Sequence, residues 1–211
     1  MTGGAAIELA LPSPPGPLRL RLHPAGTDLV SDRLRETRLW EPFETRLCLA
    51  LVGPGAVCVD VGANLGYFTV LAAARAGAGG HVYAFEPDPD NFALLSANVS
   101  LNGLAARCSL SSLALSDRAG EGFLYRSDDN LGDHQVYPGD GERPALPIRL
   151  ARGEAVLGSA VDAIDFLKID TQGSEAAVLA GLLPLLARQP RPPAILVELT
   201  PFSLALAGRT G

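Results

Sequence analysis

The stretch Val57-Cys58-Val59-Asp60-Val61-Gly62-Ala63-Asn64-Leu65-Gly66-Tyr67-Phe68-Thr69 decides the fold. An apolar, β-branched run reaches an acid, and two glycines follow. Leu65, Phe68, Leu71 and Ala72 then recur at helical spacing. Such a pattern predicts a buried strand, a tight turn and a helix N-terminus. Gly62 lets the chain turn sharply with no Cβ in the way, and Gly66 lets something lie close against the helix start. A second apolar run, His81-Val82-Tyr83-Ala84-Phe85, ends in Glu86, twenty residues after Gly66. An acid at the tip of the second strand is where a nucleoside ribose presents its hydroxyls. The pair of runs predicts a nucleotide-cofactor site on a parallel sheet.

Outward from this core, the chain repeats the same grammar. Met1 to Pro17 is Gly/Pro/Ala-rich and reads as a lead-in, followed by the alternating strand Leu18-Arg19-Leu20-Arg21-Leu22. Two helical pieces fall between Ser31 and about Leu51, interrupted before Pro42. Further strands are expected at Arg107–Leu115, Glu121–Tyr125, Pro147–Leu150, Asp165–Asp170 and Ala194–Glu198. Helices are expected at Pro87–Leu101 and from Ser174 to about Leu186. Strands alternating with helices imply βαβ units and a mostly parallel sheet with helices on both faces. Ligands bind beyond the carboxyl ends of such strands. Asp60, Glu86, Asp117, Asp170 and Glu198 all fall at strand ends and are expected to share one site.

Composition narrows the function. The chain has 211 residues, 47% of them apolar, which suits one domain with a substantial core. A net charge of −6 argues against a nucleic-acid partner, whose backbone is held by clustered cations. Lys168 is the only lysine. Cys48, Cys58 and Cys108 have no metal-ligand spacing and read as reduced core thiols of a cytoplasmic protein. The N-terminus has no signal-peptide character. The greasiest run, Ala176–Ala187, is interrupted by Pro184 and too short to span a bilayer, so no membrane association is expected.

The run from Asp60 to Thr69 resembles the cofactor signature of the FkbM family of S-adenosylmethionine-dependent methyltransferases. Phe85-Glu86-Pro87, Ala114-Leu115-Ser116-Asp117, Leu167-Lys168-Ile169-Asp170-Thr171-Gln172-Gly173-Ser174-Glu175 and Trp40-Glu41-Pro42 agree with it in order and spacing. The resemblance spans about Trp40 to Glu198. It divides the chain into a lead-in strand and helix, 1–39, and a cofactor-binding domain, 40–211. It implies a class I methyltransferase (Rossmann-like) fold with sheet order 3-2-1-4-5-7-6, S-adenosylmethionine as cofactor and a hydroxyl of a small molecule or sugar as acceptor. By position, Asp60, Gly62, Asn64, Gly66 and Tyr67 would surround the methionine moiety, with Gly62, Asn64 and Gly66 as its cradle. Glu86 would hold the ribose, and Leu115, Ser116 and Asp117 would lie along the adenine. Gln172 stands where many relatives carry Glu. The chain stops at Gly211, soon after strand five, without room for the closing helix and strands. Two alternatives stay open, a fragment lacking its C-terminal strands or a sheet completed otherwise, and the exposed edge of strand five is expected to favour self-association.

A sulfonium methyl is already electrophilic, so the protein chiefly orients the acceptor and removes its proton. His134, in Asn130-Leu131-Gly132-Asp133-His134-Gln135, is the first candidate base, being the only histidine flanked by polar residues. It lies in a long polar loop, Ser127–Glu142, expected to shape the acceptor pocket. Asp170 is the second candidate, as a base or substrate contact. His23 and His81 read as structural. Lys168 is expected to share a side with Asp170 and pair with a tip acid. Asp170 and Glu198 have no dense acidic cluster beside them in sequence, so no metal is expected. Two other classes stay open: a nicotinamide dehydrogenase, disfavoured because Gly62-x-x-x-Gly66 lacks the G-x-G-x-x-G spacing, and a non-catalytic cofactor-fold domain of a larger glycan or natural-product enzyme.

Overall fold

A computed structural model describes residues 6–11, 16–127, 131, 134–137 and 143–199. Expectations that fall on the first residues, on most of the 128–142 segment or beyond 199 lie outside the described residues. A short hairpin pairs β1 (Ile7–Glu8) with β2 (Arg19–Leu20), and α1 (Leu29–Thr37) and α2 (Pro42–Leu51) follow. Asp28 starts α1 by accepting the Ser31 N–H, which satisfies one of the helix's orphan donors. Next come β3 (Val57–Val61), α3 (Tyr67–Ala76), β4 (His81–Phe85), α4 (Pro89–Leu101) and β5 (Cys108–Ser111). Then β6 (Ala114–Ser116), β7 (Gly120–Tyr125), β8 (Ala145–Arg152) and a short α5 (Gly153–Leu157) lead to β9 (Phe166–Ile169), α6 (Glu175–Ala187) and β10 (Ala194–Val197).

Five strands form one all-parallel sheet in the order β10-β9-β3-β4-β5, the 5-4-1-2-3 half of the order the resemblance implies. Alternating residues divide its two faces. Cys58, Val82, Ala84 and Phe166 pack with α1 to α4, whereas Val59, Val61, Phe85, Leu167 and Ile169 pack with α5 and α6. Both faces are thus covered, as a parallel sheet requires. Leu20 and Leu34, from the lead-in region, are fully buried in the first of these cores. The outer edge of β10 has no strand partner among the described residues, and no described helix is long and apolar enough to cross a membrane.

Two expectations are corrected. The strand read across Arg107–Leu115 is two strands. The chain leaves the main sheet after β5, and β6 joins a separate three-stranded sheet, β6-β8-β7. Asp117 therefore ends a strand of the second sheet and does not stand in the row of tip acids. Asp60 is inside β3, opposite Lys168 of β9, and is buried at 3% exposure. As expected, one helix crosses Pro184: α6 runs through it to Ala187. The helix also carries Gly181, where a Cβ would stand 1.9 Å from the Ser116 carbonyl oxygen, so α6 and β6 are in backbone contact.

Candidate active site

The chain reverses just beyond β3 and β9, and these two turns build the site together. At Gly62 φ is +81°, and a Cβ there would lie 1.8 Å from the backbone oxygen of Asp170. Glycine is required at that point because the Asp170 carbonyl leans on it. Gly66, φ +93°, faces Leu95 of α4, whose Cα would be 3.2 Å from an added Cβ. On its Cβ side, the helix start lies against α4. Asn64 and Gln172 are left-handed without being glycine, with φ near 50° at both, and both line the cleft described next. Residues held in such regions persist only where the surroundings over-determine them. For Gln172 the reason is Glu175, whose buried carboxylate accepts the N–H groups of Thr171 and Gly173, each at 3.0 Å.

A cleft with about 600 Å³ of empty space, its solvent-open mouth included, crosses the carboxyl ends of β3, β4 and β9. Gly62, Asn64, Glu86, Leu115, His134 and Asp170 all line it. Asp60, Gly66, Tyr67, Ser116 and Asp117 do not. The Asp60 Oδ2 accepts from Thr69 Oγ1 at 2.6 Å, the Tyr67 hydroxyl meets Thr45 Oγ1 at 3.0 Å, and Ser116 Oγ donates to Asp117 Oδ1 at 3.1 Å. Through these bonds Asp60 and Tyr67 tie β3, α3 and α2 together. The apolar wall is made by Leu113, Leu115, Leu124, Leu131 and Val136. Of these, sequence reasoning found only Leu115. Leu113 comes from the link between β5 and β6, Leu124 from β7, and Leu131 and Val136 from the polar loop, where apolar residues carry no periodic signal.

Glu86 is the polar centre of one end. Its Oε1 accepts the Asp88 N–H at 2.9 Å and its Oε2 the Asn64 N–H at 2.7 Å, which joins the turns after β4 and β3. Each oxygen keeps a second lone pair for a hydroxyl donor. Burial pushes the Glu86 carboxyl up to about 8, against the opposing effect of the two N–H donors. Burial likewise raises Glu41 to about 7 and Glu198 to about 8. For such groups the native state keeps protons that the unfolded chain has lost. Their contribution to stability is full near pH 4.5 and disappears as pH rises through about 8. The urea midpoint is accordingly expected to fall between pH 5 and pH 9, and to fall less steeply in Glu86→Gln.

His134 sits in the cleft wall at 9% exposure. Its Nδ1 accepts the Ser127 N–H at 3.1 Å, so the ring proton is on Nε2, which faces Asp88 Oδ2 at 3.5 Å. The imidazole thus ties the loop to the start of α4. Asp170 has its Oδ2 bound by Lys168 Nζ and its Oδ1 by Gln172 Nε2, both at 2.9 Å. The acids that sequence reasoning found sparse here are joined by Glu41, from the N-terminus of α2. One carboxylate oxygen each of Glu41, Asp170 and Glu198 lie within 4.8 Å of one another. Lys168 already supplies this cluster with a cation. Glu41 was missed because nothing local marks it; its positive φ of 41° is a tertiary property.

The parallel sheet in this order, with a cleft across its carboxyl ends and an acid at the tip of β4, defines a class I methyltransferase-like α/β fold. The family described as "Methyltransferase FkbM domain" matches residues 60–206, and the chain belongs to this family of S-adenosylmethionine-dependent methyltransferases. A curated relative, "31-O-demethyl-FK506 methyltransferase FkbM" of Streptomyces tacrolimicus, is 33% identical over 61% of this chain and 60% of its own length. A "tRNA wybutosine-synthesizing protein 2 homolog" of Danio rerio is 36% identical over 36% of this chain and 20% of the relative. Among solved structures, methyltransferase FkbM from Methylobacillus flagellatus KT superposes with a TM-score of 0.52 at 18% identity, covering 76% of this chain and 36% of that one. Cofactor-bound Rv0187 from MTB gives 0.50 at 15% identity, covering 81% and 66%. The chain thus spans 60% of its curated FkbM relative and about a third of the solved one.

Proposed function

We propose that this chain binds S-adenosylmethionine in the β3–β4–β9 cleft and transfers its methyl group to a hydroxyl of a small molecule or sugar. The observation that carries the reading is the placement of Glu86 and Asp170 in one cleft, at the tips of β4 and β9. Glu86 accepts the ribose hydroxyls with the lone pairs its backbone donors leave, and the apolar wall around Leu113 and Leu115 takes the adenine. The cofactor, when bound, supplies an electrophilic methyl, so the remaining task is to align an acceptor and take its proton. Asp170 takes that proton. Asp170 lines the cleft with its carboxylate held at both oxygens, whereas the His134 Nδ1 lone pair is spent on a backbone N–H. The hydroxyl as acceptor is supported by the O-methylation in the name of the curated FkbM relative.

Calorimetry with S-adenosylmethionine, S-adenosylhomocysteine and a nicotinamide dinucleotide tests the cofactor. Both adenosyl compounds are expected to bind and the dinucleotide to fail; the reverse result returns the chain to the dehydrogenase class. Measured at pH 9, where the Glu86 carboxyl is ionised, Glu86→Ala is expected to weaken adenosyl binding by roughly 1.5–3 kcal/mol, the scale of hydrogen bonds to a charged group. Methyl incorporation from labelled cofactor into a panel of hydroxylated acceptors then tests turnover, and no incorporation from any of them would favour a non-catalytic domain.

A further inference from the structure

Lys168 is the only lysine in a chain whose other cations are all arginines. An ammonium is a compact point charge, while a guanidinium is a wide planar fork, so the two are not interchangeable at a packed site. The Lys168 side chain is 6% exposed on β9, with Nζ 4.6 Å from the centre of the Phe68 ring and 2.9 Å from Asp170 Oδ2. Asp60 of β3, Glu41 of α2 and Glu198 beyond β10 all act electrostatically on the same ammonium. Asp170 lines the cofactor cleft, and its carboxylate also lies beside Glu41 and Glu198, which line a smaller cavity with Glu44 and Lys168. Lys168 is the cation bonded to this carboxylate, so removing it would leave Asp170 among acids with one oxygen unheld.

We propose that Lys168 is a positioning residue that holds the Asp170 carboxylate turned toward the cofactor cleft, a role resting on the reading of that cleft as an S-adenosylmethionine site. Charge compensation alone predicts the opposite of positioning in a measurable quantity. S-adenosylmethionine carries a sulfonium cation, while S-adenosylhomocysteine is neutral at sulfur. If Lys168 only neutralised the acids, removing it would leave the cleft more negative and the sulfonium relatively better bound. If it positions Asp170, removing it lets the carboxylate turn away, and the preference for the sulfonium falls.

The test is calorimetry of both adenosyl compounds on the wild type, Lys168→Met, Asp170→Asn and the double variant. The preference for S-adenosylmethionine over S-adenosylhomocysteine is expected to fall by roughly five-fold or more in Lys168→Met, as in Asp170→Asn. The double variant is expected to fall no further, because the two residues act as a unit. A preference that rises or stays constant in Lys168→Met, with both compounds still bound, overturns this proposal alone. Failure of either compound to bind the wild type overturns the cofactor reading and this proposal with it. Because Lys168→Met leaves Asp60 and Asp170 without their cation and can fail to fold, the wild type supplies a second readout. Protein labelled with [ζ-15N]lysine gives a single ammonium resonance. It is expected to move on saturation with S-adenosylmethionine, and by a different amount with S-adenosylhomocysteine. A resonance unmoved by both, while calorimetry records binding, also overturns the proposal.

Discussion

Asp170→Asn is expected to lower methyl transfer to any acceptor found by roughly 10²–10⁴-fold, the range for losing a general base, while changing cofactor affinity far less. The amide keeps the size of the carboxylate and leaves an oxygen for Lys168 Nζ, so the turn after β9 has no steric reason to move. What it loses is the ability to accept the acceptor's proton as methyl transfer proceeds. Turnover at saturating cofactor and cofactor affinity are the two measurements to compare. His134→Ala is the informative control. Its ring links Ser127 to Asp88, so the expected result is weaker cofactor binding and lower thermal stability, with turnover at saturation retained. Full turnover in Asp170→Asn combined with loss in His134→Ala would return the base to the imidazole.

Gly62→Ala is expected to be the most damaging small substitution in the chain. A Cβ at this position falls 1.8 Å from the Asp170 carbonyl oxygen, which is backbone and cannot rotate aside. The residue also sits at φ +81°, where an alanine is strained on its own account. Strain of about 1–3 kcal/mol and a backbone collision act at the same point, so a loss of at least about 3 kcal/mol is expected. For a domain of this size that corresponds to a melting temperature lower by roughly 10 °C. Cofactor binding should fall with it, because β3 and β9 must separate at the residue that places Asp170. A variant with unchanged melting temperature would show that the Asp170 carbonyl is not held against Gly62.

The core strands β3, β4, β9 and β10 and the tip acid Glu86 were legible in the sequence for a short-range reason, while the order of the strands came from the family resemblance. Apolar periodicity over Val57–Val61 and His81–Phe85, and the turn chemistry around Gly62, are properties of a few neighbouring residues. The same local patterns placed Asp170 at the end of β9 and put Lys168 on its side. Other features depend on which residues distant parts of the chain bring together. Gly66 is a glycine because α4 lays Leu95 against it, and no pattern near residue 66 says so. The run Arg107–Leu115 reads as one strand, but its two halves pair with β4 and β8 in different sheets. His134 reads as a loop base, yet Ser127 and Asp88 stand beside it, and no local pattern at Glu41 announces its meeting with Asp170 and Glu198. Sequence period determines which face of an element is apolar. Which partner meets that face, and so whether an acid is solvated, paired or crowded, is decided only when contacts distant in sequence close.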